Sequence, residues 1–328
     1  MILVTGGAGF IGSNLVAALE ERGLGDIVVC DRLGRDEKWR NLGKRELAAL
    51  VPPEALGGFL ASHPRGLDAI FHLGASSSTT ETDADFIIAN NFALSLELWD
   101  WCATTGTRFI YASSAATYGD GDAGFDDDAS PAGLAKLRPL NAYGWSKHLF
   151  DRRVARLIER RAAHPPQWAG LKFFNVYGPN EYHKGGQKSV VAQIFPRAQA
   201  GEACRLFRSH RAGIPDGGQK RDFVYVRDSV AEMLWLYDHP AVSGLFNAGS
   251  GEARSFAELA AAVYRALGAA PRVDFVDTPI EIREKYQYYT EARMERIRAA
   301  GFTAAPISLE DGVRDYVQNF LAAADPYR

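Results

Sequence analysis

The chain has 328 residues with a formal net charge of −3, and 23% of its residues are charged while 47% are hydrophobic. This length suits one large domain or two interwoven ones, the charge gives no footprint for nucleic acid or an anionic membrane, and no apolar run approaches the ~18 residues of a membrane span. The three cysteines lie far apart without a Cys-x-x-Cys pair, so we expect no disulfide and no metal site, and a reducing, cytoplasmic compartment.

The first 21 residues predict a strand, a tight turn and a helix. Residues 2–4 are apolar, residues 5–9 are small, and apolar positions then recur at helical spacing to residue 21. Because the chain begins with a core strand, we expect no signal peptide.

The glycines of this turn match a dinucleotide-binding fingerprint. Gly7-x-Gly9-x-x-Gly12 has the general spacing, and Gly6 gives the alternative spacing of short-chain dehydrogenases. Such glycines permit a tight turn and let a pyrophosphate approach the helix N-terminus. A second apolar strand, 27–30, ends in Asp31, about 20 residues further on, where an acid would meet the adenosine ribose.

Basic residues follow the second strand. Arg32, Arg35 and Lys38 would reach a 2′-phosphate on the cofactor, while the alternative is a solvated loop. A strand at 67–72 then leads into the small residues 73–80, which we expect to form a floor for a ligand at the carboxyl end of the sheet.

Further strands and helices alternate to residue 176. A helix at about 90–106 precedes a strand at 108–112, a helix runs from 143 to about 163, and a buried strand spans 170–176. Beyond residue 177 loops and short helices suggest a lobe that covers a substrate. Strands near 222–226 and 243–249 suggest that the chain then passes back and forth between two domains, and helices are predicted at 255–267 and within 305–322.

A candidate catalytic group starts the long helix. Tyr143 and Lys147 are four residues apart and therefore lie on one helical face, where the lysine cation would favour the phenolate. Ser113 and Ser114 end the preceding strand, and a serine hydroxyl there would hold the substrate oxygen. This combination predicts a hydride-transfer site.

These motifs resemble the extended short-chain dehydrogenase/reductase superfamily of nucleotide-sugar epimerases and dehydratases. More specific stretches, at 71–81, 174–179, 183–185, 220–226 and 298–301, resemble the family of ADP-L-glycero-D-manno-heptose 6-epimerases. The resemblance implies an α/β fold, a Rossmann doubly wound parallel sheet with a smaller α/β substrate-binding domain. We expect the cofactor domain to comprise 1–174, about 222–251 and 290–308, and the substrate domain to comprise about 175–221, 252–289 and 309–328.

The resemblance also implies a mechanism. A bound NADP, with NAD as the alternative, takes hydride from C6 of an ADP-heptose and returns it to the opposite face of the transient ketone. Tyr143, tuned by Lys147, would serve one face, Lys184 matches the second acid/base group of the family, and Ser114 would bind the reacting oxygen. The product would supply the lipopolysaccharide inner core, and the family forms homo-oligomers, commonly pentamers.

Other residues match the family's binding sites. The cofactor positions are Gly6, Gly9, Phe10, Ile11, Gly12, Asp31, Arg32, Lys38, Leu73, Gly74, Ala75, Ser76, Ser77, Asn90, Tyr143, Lys147, Val176 and Lys184. The substrate positions are Ser114, Asn175, Gly186, Gln193, Phe207, Arg208, Ser209, His210, Arg221 and Tyr286. Arg32 replaces a frequent asparagine and should strengthen phosphate binding, whereas a cofactor-contacting lysine of the family has no counterpart near 51–53.

Two other functions stay open. The first is another sugar-nucleotide enzyme, a UDP-hexose 4-epimerase or a 4,6-dehydratase, although a dehydratase should carry an acidic pair where this chain has Ala115 and Ala116. The second is a non-catalytic NADP-binding sensor, which would usually lack the tyrosine or the lysine. For a 4-epimerase, Lys184 has no obvious role.

Overall fold

A computed structural model describes residues 1–283 and 287–328. Its strands, in chain order, are β1 (Ile2–Thr5), β2 (Ile27–Cys30), β3 (Ala49–Val51), β4 (Ala69–His72), β5 (Arg108–Ser114), β6 (Trp168–Phe173), β7 (Asn175–Tyr177), β8 (Cys204–Phe207), β9 (Lys220–Tyr225), β10 (Gly244–Ala248), β11 (Ala253–Ser255) and β12 (Val273–Val276).

The α-helices alternate with these strands. They are α1 (Phe10–Glu21), α2 (Leu56–Ala61), α3 (Ala84–Ile88), α4 (Leu94–Thr105), α5 (Pro131–Leu134), α6 (Ala142–Glu159), α7 (Val190–Gln199), α8 (Val226–Asp238), α9 (Phe256–Ala266), α10 (Ile280–Arg283), α11 (Glu295–Ala299) and α12 (Leu309–Tyr316). Short 3-10 segments are Glu37–Leu42, Pro53–Ala55, Ala115–Tyr118 and Tyr182–Gln187, and π-helical segments are Ala89–Ala93 and Val317–Leu321.

Seven strands form one parallel sheet in the order β10-β6-β5-β4-β1-β2-β3. Strands β1, β2, β4 and β6 are buried along their whole length, as expected for strands covered by helices on both faces. The strand order reverses between β1 and β4, and the carboxyl ends of all seven strands share one edge. In doubly wound folds this edge, at the reversal point, is where ligands bind.

A second apolar core lies beside the large sheet. Its members come from a three-stranded sheet, β11-β9-β7, from a two-stranded sheet, β12-β8, and from helices α7, α9 and α12. Helix α9 begins with a capping box, in which Ser255 and Glu258 satisfy each other's backbone amides. The sequence predicted this helix start at Ser255.

Two differences from the predicted elements concern the join between the cores. The predicted strand 170–176 is two strands, because Phe174 donates its amide to Ala248 of β10 and the chain then turns into the smaller sheet as β7. The predicted domain boundary at 222 falls inside β9, which pairs with β7 and β11 rather than with the large sheet. The division into two domains stays a prediction.

In the described part of the chain, no helix is both long enough and apolar enough to span a membrane.

Candidate active site

A cleft of about 1020 Å3 opens at the carboxyl edge of the large sheet, between β1 and β4 and under the smaller sheets. This volume is at the upper end of the ~300–1,000 Å3 typical of ligand sites. Residues from both cores line it, including Gly6 after β1, Ser114 at the end of β5 and Phe256 on α9. The cleft therefore has room for a dinucleotide and a second ligand.

The glycine turn is packed too tightly for side chains. A Cβ on Gly12 would lie 2.1 Å from the Gly6 carbonyl oxygen, and a Cβ on Gly6, whose φ is +69°, would lie 2.6 Å from the Gly74 amide. In the described residues no side chain caps α1, and its first residues Phe10, Ile11 and Gly12 line the cleft. This arrangement fits a pyrophosphate at the helix N-terminus.

Asp31 follows β2 and contacts this turn. Its Oδ2 accepts the Ala8 amide at 2.9 Å, its Oδ1 accepts the Arg32 amide at 2.7 Å, and Lys38 Nζ donates to Oδ1 at 2.6 Å. Arg32, by contrast, turns away from the cleft: its Nε donates to Glu54 Oε1 at 2.9 Å. The structure thus holds Lys38 on Asp31 in the cleft and Arg32 on Glu54, with both side chains of the latter pair more than half exposed.

The loop after β4 forms part of the cleft wall. Leu73, Gly74, Ala75 and Ser77 line it, whereas Ser76 and Asn90 do not. The neighbouring Asn91 is buried and holds the Ser76 backbone at both ends, accepting its amide at 2.8 Å and donating to its carbonyl at 2.9 Å. Asn90 instead donates to the Phe86 carbonyl at 2.7 Å.

Tyr143 and Ser114 meet where α6 begins. Asn141 caps the helix by accepting the Gly144 amide, and a Cβ on Gly144 would lie 2.7 Å from the Ala116 carbonyl, so the helix packs closely on the turn after β5. Burial raises the pKa of Tyr143, and a hydrogen bond with Ser114 opposes that shift. The side chain is therefore a phenol at neutral pH in this structure.

Lys147 lies one turn further along α6. Its Nζ donates to the Ala112 carbonyl at 2.8 Å, and burial lowers its pKa to about 8 while the charge of Asp151 opposes the shift. Burial and the hydrogen bond with Ser114 shift the pKa of Tyr143, and the influence of Lys147 on the phenol stays a prediction. Both residues line the cleft as predicted.

Lys184 reaches the same cleft from the 3-10 segment Tyr182–Gln187. Its Nζ lies 5.3 Å from the centre of the Phe10 ring, at the start of α1. Burial lowers the pKa of Lys184, and the carboxylate of Glu181 opposes the shift. Glu181 is itself fully buried and accepts hydrogen bonds from Ser189 Oγ at 2.6 Å and the Tyr316 hydroxyl at 3.0 Å.

Only part of the predicted substrate side lines the cleft, namely Ser114, Asn175, Gly186 and Arg221. Arg221 is buried and donates to the Lys220 carbonyl at 2.9 Å. Five other predicted residues lie outside the lining, which are Gln193, Phe207, Arg208, Ser209 and His210. Tyr286 lies outside the described residues.

Local contacts explain why those five lie elsewhere. Gln193 is exposed on α7 and donates to the Lys188 carbonyl at 2.7 Å. Phe207 ends β8, and the residues after it turn toward acidic and aromatic partners: Arg208 lies 3.4 Å from Asp277, and the His210 amide donates to the Tyr288 hydroxyl.

Thr79 and Thr80 line the cleft within the stretch 73–80 that the sequence predicts as its floor, whereas other lining residues were not singled out, namely His183, Gln187, Lys188, Phe223, Phe256 and Leu259. The threonines belong to the run of small polar residues after β4, and His183 adjoins Lys184, so both carried a local signal. The residues of β9 and α9 carried none, because only the packing of the smaller sheets brings them to the cleft.

The NAD dependent epimerase/dehydratase family matches residues 2–249. The chain belongs to this family. An ADP-L-glycero-D-manno-heptose-6-epimerase from Nitratidesulfovibrio vulgaris strain DP4 is 48% identical over 329 residues, and the match covers all of both chains.

Solved structures agree with this family assignment. The ADP-L-glycero-D-manno-heptose-6-epimerase of Helicobacter pylori has a TM-score of 0.80 at 28% identity, and the match covers 98% of this chain and 96% of that one. The UDP-glucose 4-epimerase of Thermus thermophilus, in complex with NAD, has a TM-score of 0.76 at 26% identity, with 98% and 99% covered.

The comparisons confirm the predicted fold class and the predicted resemblance to nucleotide-sugar epimerases. Family membership and the NAD-bound neighbour support a nicotinamide cofactor, and the relatives support a nucleotide-sugar substrate.

Proposed function

We propose that this chain interconverts ADP-D-glycero-β-D-manno-heptose and ADP-L-glycero-β-D-manno-heptose at C6. The observation that carries the proposal is the shared cleft: Tyr143 and Ser114 reach it from the large sheet and α6, and Lys184 reaches it from a separate segment. Inversion of a carbinol carbon through a ketone needs proton transfer on both faces, and this cleft holds two candidate groups. The full-length relatives that match the chain carry the name of this activity.

The residues of the cleft fit a nicotinamide dinucleotide, because the glycine turn leaves no room for a Cβ and Asp31 stands at the ribose position. When bound, the cofactor supplies reversible hydride acceptance from the sugar carbon. Gly6, Gly9 and the first turn of α1 would hold the pyrophosphate, and Leu73 to Ala75 would form the floor.

The acid/base roles follow from the surroundings of each side chain. The Tyr143 phenol, hydrogen-bonded to Ser114, would exchange the proton of the C6 hydroxyl on one face, while Ser114 orients that oxygen. Lys184, whose pKa burial lowers, would exchange the proton on the other face. Lys147 would add positive charge beside Tyr143 and help to keep the Tyr143 phenol in place.

We further propose NADP as the cofactor, with NAD as the alternative. Lys38 lines the cleft and pairs with Asp31, whose charge would otherwise repel a 2′-phosphate there. The Arg32–Glu54 pair reduces the expected contribution of Arg32, which was predicted to strengthen phosphate binding.

The wider setting is also part of the proposal. A homo-oligomer, a pentamer by family resemblance, in the cytoplasm would supply the activated heptose for the lipopolysaccharide inner core.

Proton NMR of the purified protein tests the reaction and the substrate together. The protein is incubated with ADP-D-glycero-β-D-manno-heptose without added reductant, and with UDP-glucose in a parallel sample. We expect equilibration of the heptose with its C6 epimer and an unchanged UDP-glucose. Conversion of UDP-glucose to UDP-galactose with an unchanged heptose would refute the proposed substrate and leave Lys184 without its role.

A further inference from the structure

A buried ion pair lies directly behind the candidate active site. Lys172 Nζ on β6 is 3.0 Å from Asp151 Oδ2 on α6, and the two side chains are 1% and 0% exposed. The same carboxylate accepts a hydrogen bond from Ser113 Oγ at 2.7 Å and another from the Tyr111 hydroxyl at 3.2 Å. Asp151 therefore joins α6 to β5 and β6 at the sheet edge that forms the cleft.

The ammonium of the pair holds the turn after β5. Lys172 Nζ donates to Thr117 Oγ1 at 2.6 Å, and Thr117 in turn donates to the Ser114 carbonyl at 2.8 Å. The Tyr118 ring lies 4.9 Å from the same ammonium. The backbone that presents Ser114 to the cleft is thus tied to the ion pair through one intervening side chain.

Helical spacing places the carboxylate on the side of α6 that carries the candidate acid/base group. Tyr143, Lys147 and Asp151 are separated by four residues each, so they lie along one face of the helix. Lys147 meets the opposing influences of burial, which lowers its pKa, and of the Asp151 charge, which raises it.

Stability alone gives a poor reason for such a pair. Two charges that are removed from water lose their hydration, and the attraction between them often does not compensate for that loss. Well-packed apolar residues of similar volume commonly give a protein of equal stability. The pair instead stands where its charge acts on Lys147 and its hydrogen bonds act on the Ser113–Ser114 end of β5.

We propose that Asp151, supported by Lys172, is a positioning residue of this site, whose carboxylate keeps the Lys147 ammonium charged and fixes the end of β5 that presents Ser114. The proposal deepens the proposed function, on which its catalytic consequence rests. Its electrostatic part concerns the folded protein alone.

Other titratable groups surround Lys147 on its own helix and on the elements packed near it, namely Tyr143, His148, His72 on β4, Tyr111 on β5, Tyr118 on the following turn and Lys172 on β6. Burial lowers the pKa of His72 to about 3 and that of His148 to about 4, so both imidazoles are neutral at pH 7. Burial raises the pKa of the three tyrosines. Asp151 is therefore the charge whose removal should lower the titration midpoint of Lys147.

NMR of the full chain labelled with 13C at lysine Cε tests the electrostatic part without any substrate. The Lys147 signal is assigned by its loss in Lys147→Met, and its titration is followed in the wild type, Asp151→Asn and Lys172→Met. We expect a midpoint near 8 in the wild type, a midpoint about one pH unit lower in Asp151→Asn, and no fall in Lys172→Met, which keeps the carboxylate.

Two further variants control for damage to the fold. Asp151→Asn leaves Lys172 without its partner, so the double variant Asp151→Asn/Lys172→Met removes the carboxylate without that cost, and its midpoint should also fall. Lys172→Arg retains the pair and should titrate like the wild type. A fall in Lys172→Arg as large as that in Asp151→Asn would overturn the proposal, because disruption rather than charge would then lower the midpoint, and an unchanged midpoint in both carboxylate-free variants would overturn it as well.

The pH profile of turnover tests the catalytic consequence. Loss of the Lys147 proton should reduce kcat as the pH rises through about 8 in the wild type, and this alkaline limb should move down with the NMR midpoint in the carboxylate-free variants while KM stays within about twofold of the wild type. A wild type that does not turn over ADP-heptose would refute the proposed function and leave the NMR result intact. If the alkaline limb of the kcat profile keeps its pH while the NMR midpoint of Lys147 falls, only the catalytic part of the proposal is refuted.

Discussion

The two candidate acid/base groups of the cleft stand on different kinds of structure. Tyr143 belongs to the 18-residue helix α6, which packs on the turn after β5 through Gly144. Lys184 belongs to a short 3-10 segment, next to Gly185 at a φ of +55°, a backbone conformation that favours glycine. One group is thus fixed by regular secondary structure and the other by contacts with distant parts of the chain.

Those contacts are hydrogen bonds of Asn41 and Glu181 and a ring contact of Tyr182. Asn41, near Lys38, donates to the Ala8 carbonyl at 2.9 Å and to the Asn180 carbonyl at 3.0 Å, and so ties the glycine turn to the segment before Lys184. Glu181 binds Ser189 and Tyr316, and the Tyr182 ring packs 5.3 Å from that of Tyr327. Replacement of a remote contact should therefore disturb the position of Lys184 more readily than that of Tyr143.

The largest expected effect is that of Tyr143→Phe. Loss of its hydroxyl removes proton transfer on one face, so kcat should fall at least ~100-fold, within the range of lost acid/base catalysis. Cofactor binding, measured by calorimetry, should stay within about twofold. Turnover within tenfold of the wild type would contradict the role of Tyr143.

Lys184→Met should have the next largest effect and should sharpen the contrast between the two groups. We expect kcat to fall roughly 10- to 100-fold, with unequal losses when the reaction starts from the D-glycero and from the L-glycero epimer in single-turnover experiments. Lys136→Met, at an exposed lysine after α5, is the matched control and should behave like the wild type. Equal activity of the two variants would remove Lys184 from the mechanism.

Glu181→Gln tests whether remote contacts hold Lys184 in place. Glu181 accepts the Ser189 amide on Oε2 and the hydroxyls of Ser189 and Tyr316 on Oε1. An amide side chain cannot accept hydrogen bonds on both of its polar atoms, so the segment should shift and kcat should fall roughly tenfold. The control is Glu232→Gln, at a buried carboxyl of α8 beside a different, small cavity. If Glu181→Gln retains full turnover while folding normally, the segment does not depend on this contact.

The smallest expected effects concern the choice of cofactor. Lys38→Ala should weaken NADP binding about tenfold and NAD binding less, because a charged hydrogen bond to the 2′-phosphate is lost. Glu54→Ala should release Arg32 and strengthen NADP binding by no more than about fivefold, since exposed ion pairs contribute about 1 kcal/mol or less. Fluorescence titration of the cofactor-free protein measures both, and equal losses of NADP and NAD in Lys38→Ala would place Lys38 outside the phosphate site.

The contrast between short-range and long-range contacts also explains which elements and residues the sequence predicts. Strand β2 begins and ends where its apolar run does, and Tyr143, Lys147 and the glycine turn were found because helices and turns obey short-range spacing rules. Asn41 and Glu181 carried no such signal toward Asn180 and Tyr316, which lie 139 and 135 residues away in the sequence. Asp151 shares the spacing of Tyr143 and Lys147, but its partner Lys172 lies 21 residues away and was not predicted. Arg32 was assigned to the phosphate because the sequence gives no sign that Glu54 would meet it.

In the proposed reaction, Tyr143 and Lys184 each transfer the proton on one face of the sugar carbon. Stopped-flow absorbance at 340 nm, which reports oxidation of the sugar, should be recorded for Tyr143→Phe and Lys184→Met, each mixed separately with the two C6 epimers. We expect a crossed pattern, in which each variant oxidises one epimer nearly as fast as the wild type and the other far more slowly. Equal slowing of both epimers in both variants would contradict the division between the two groups.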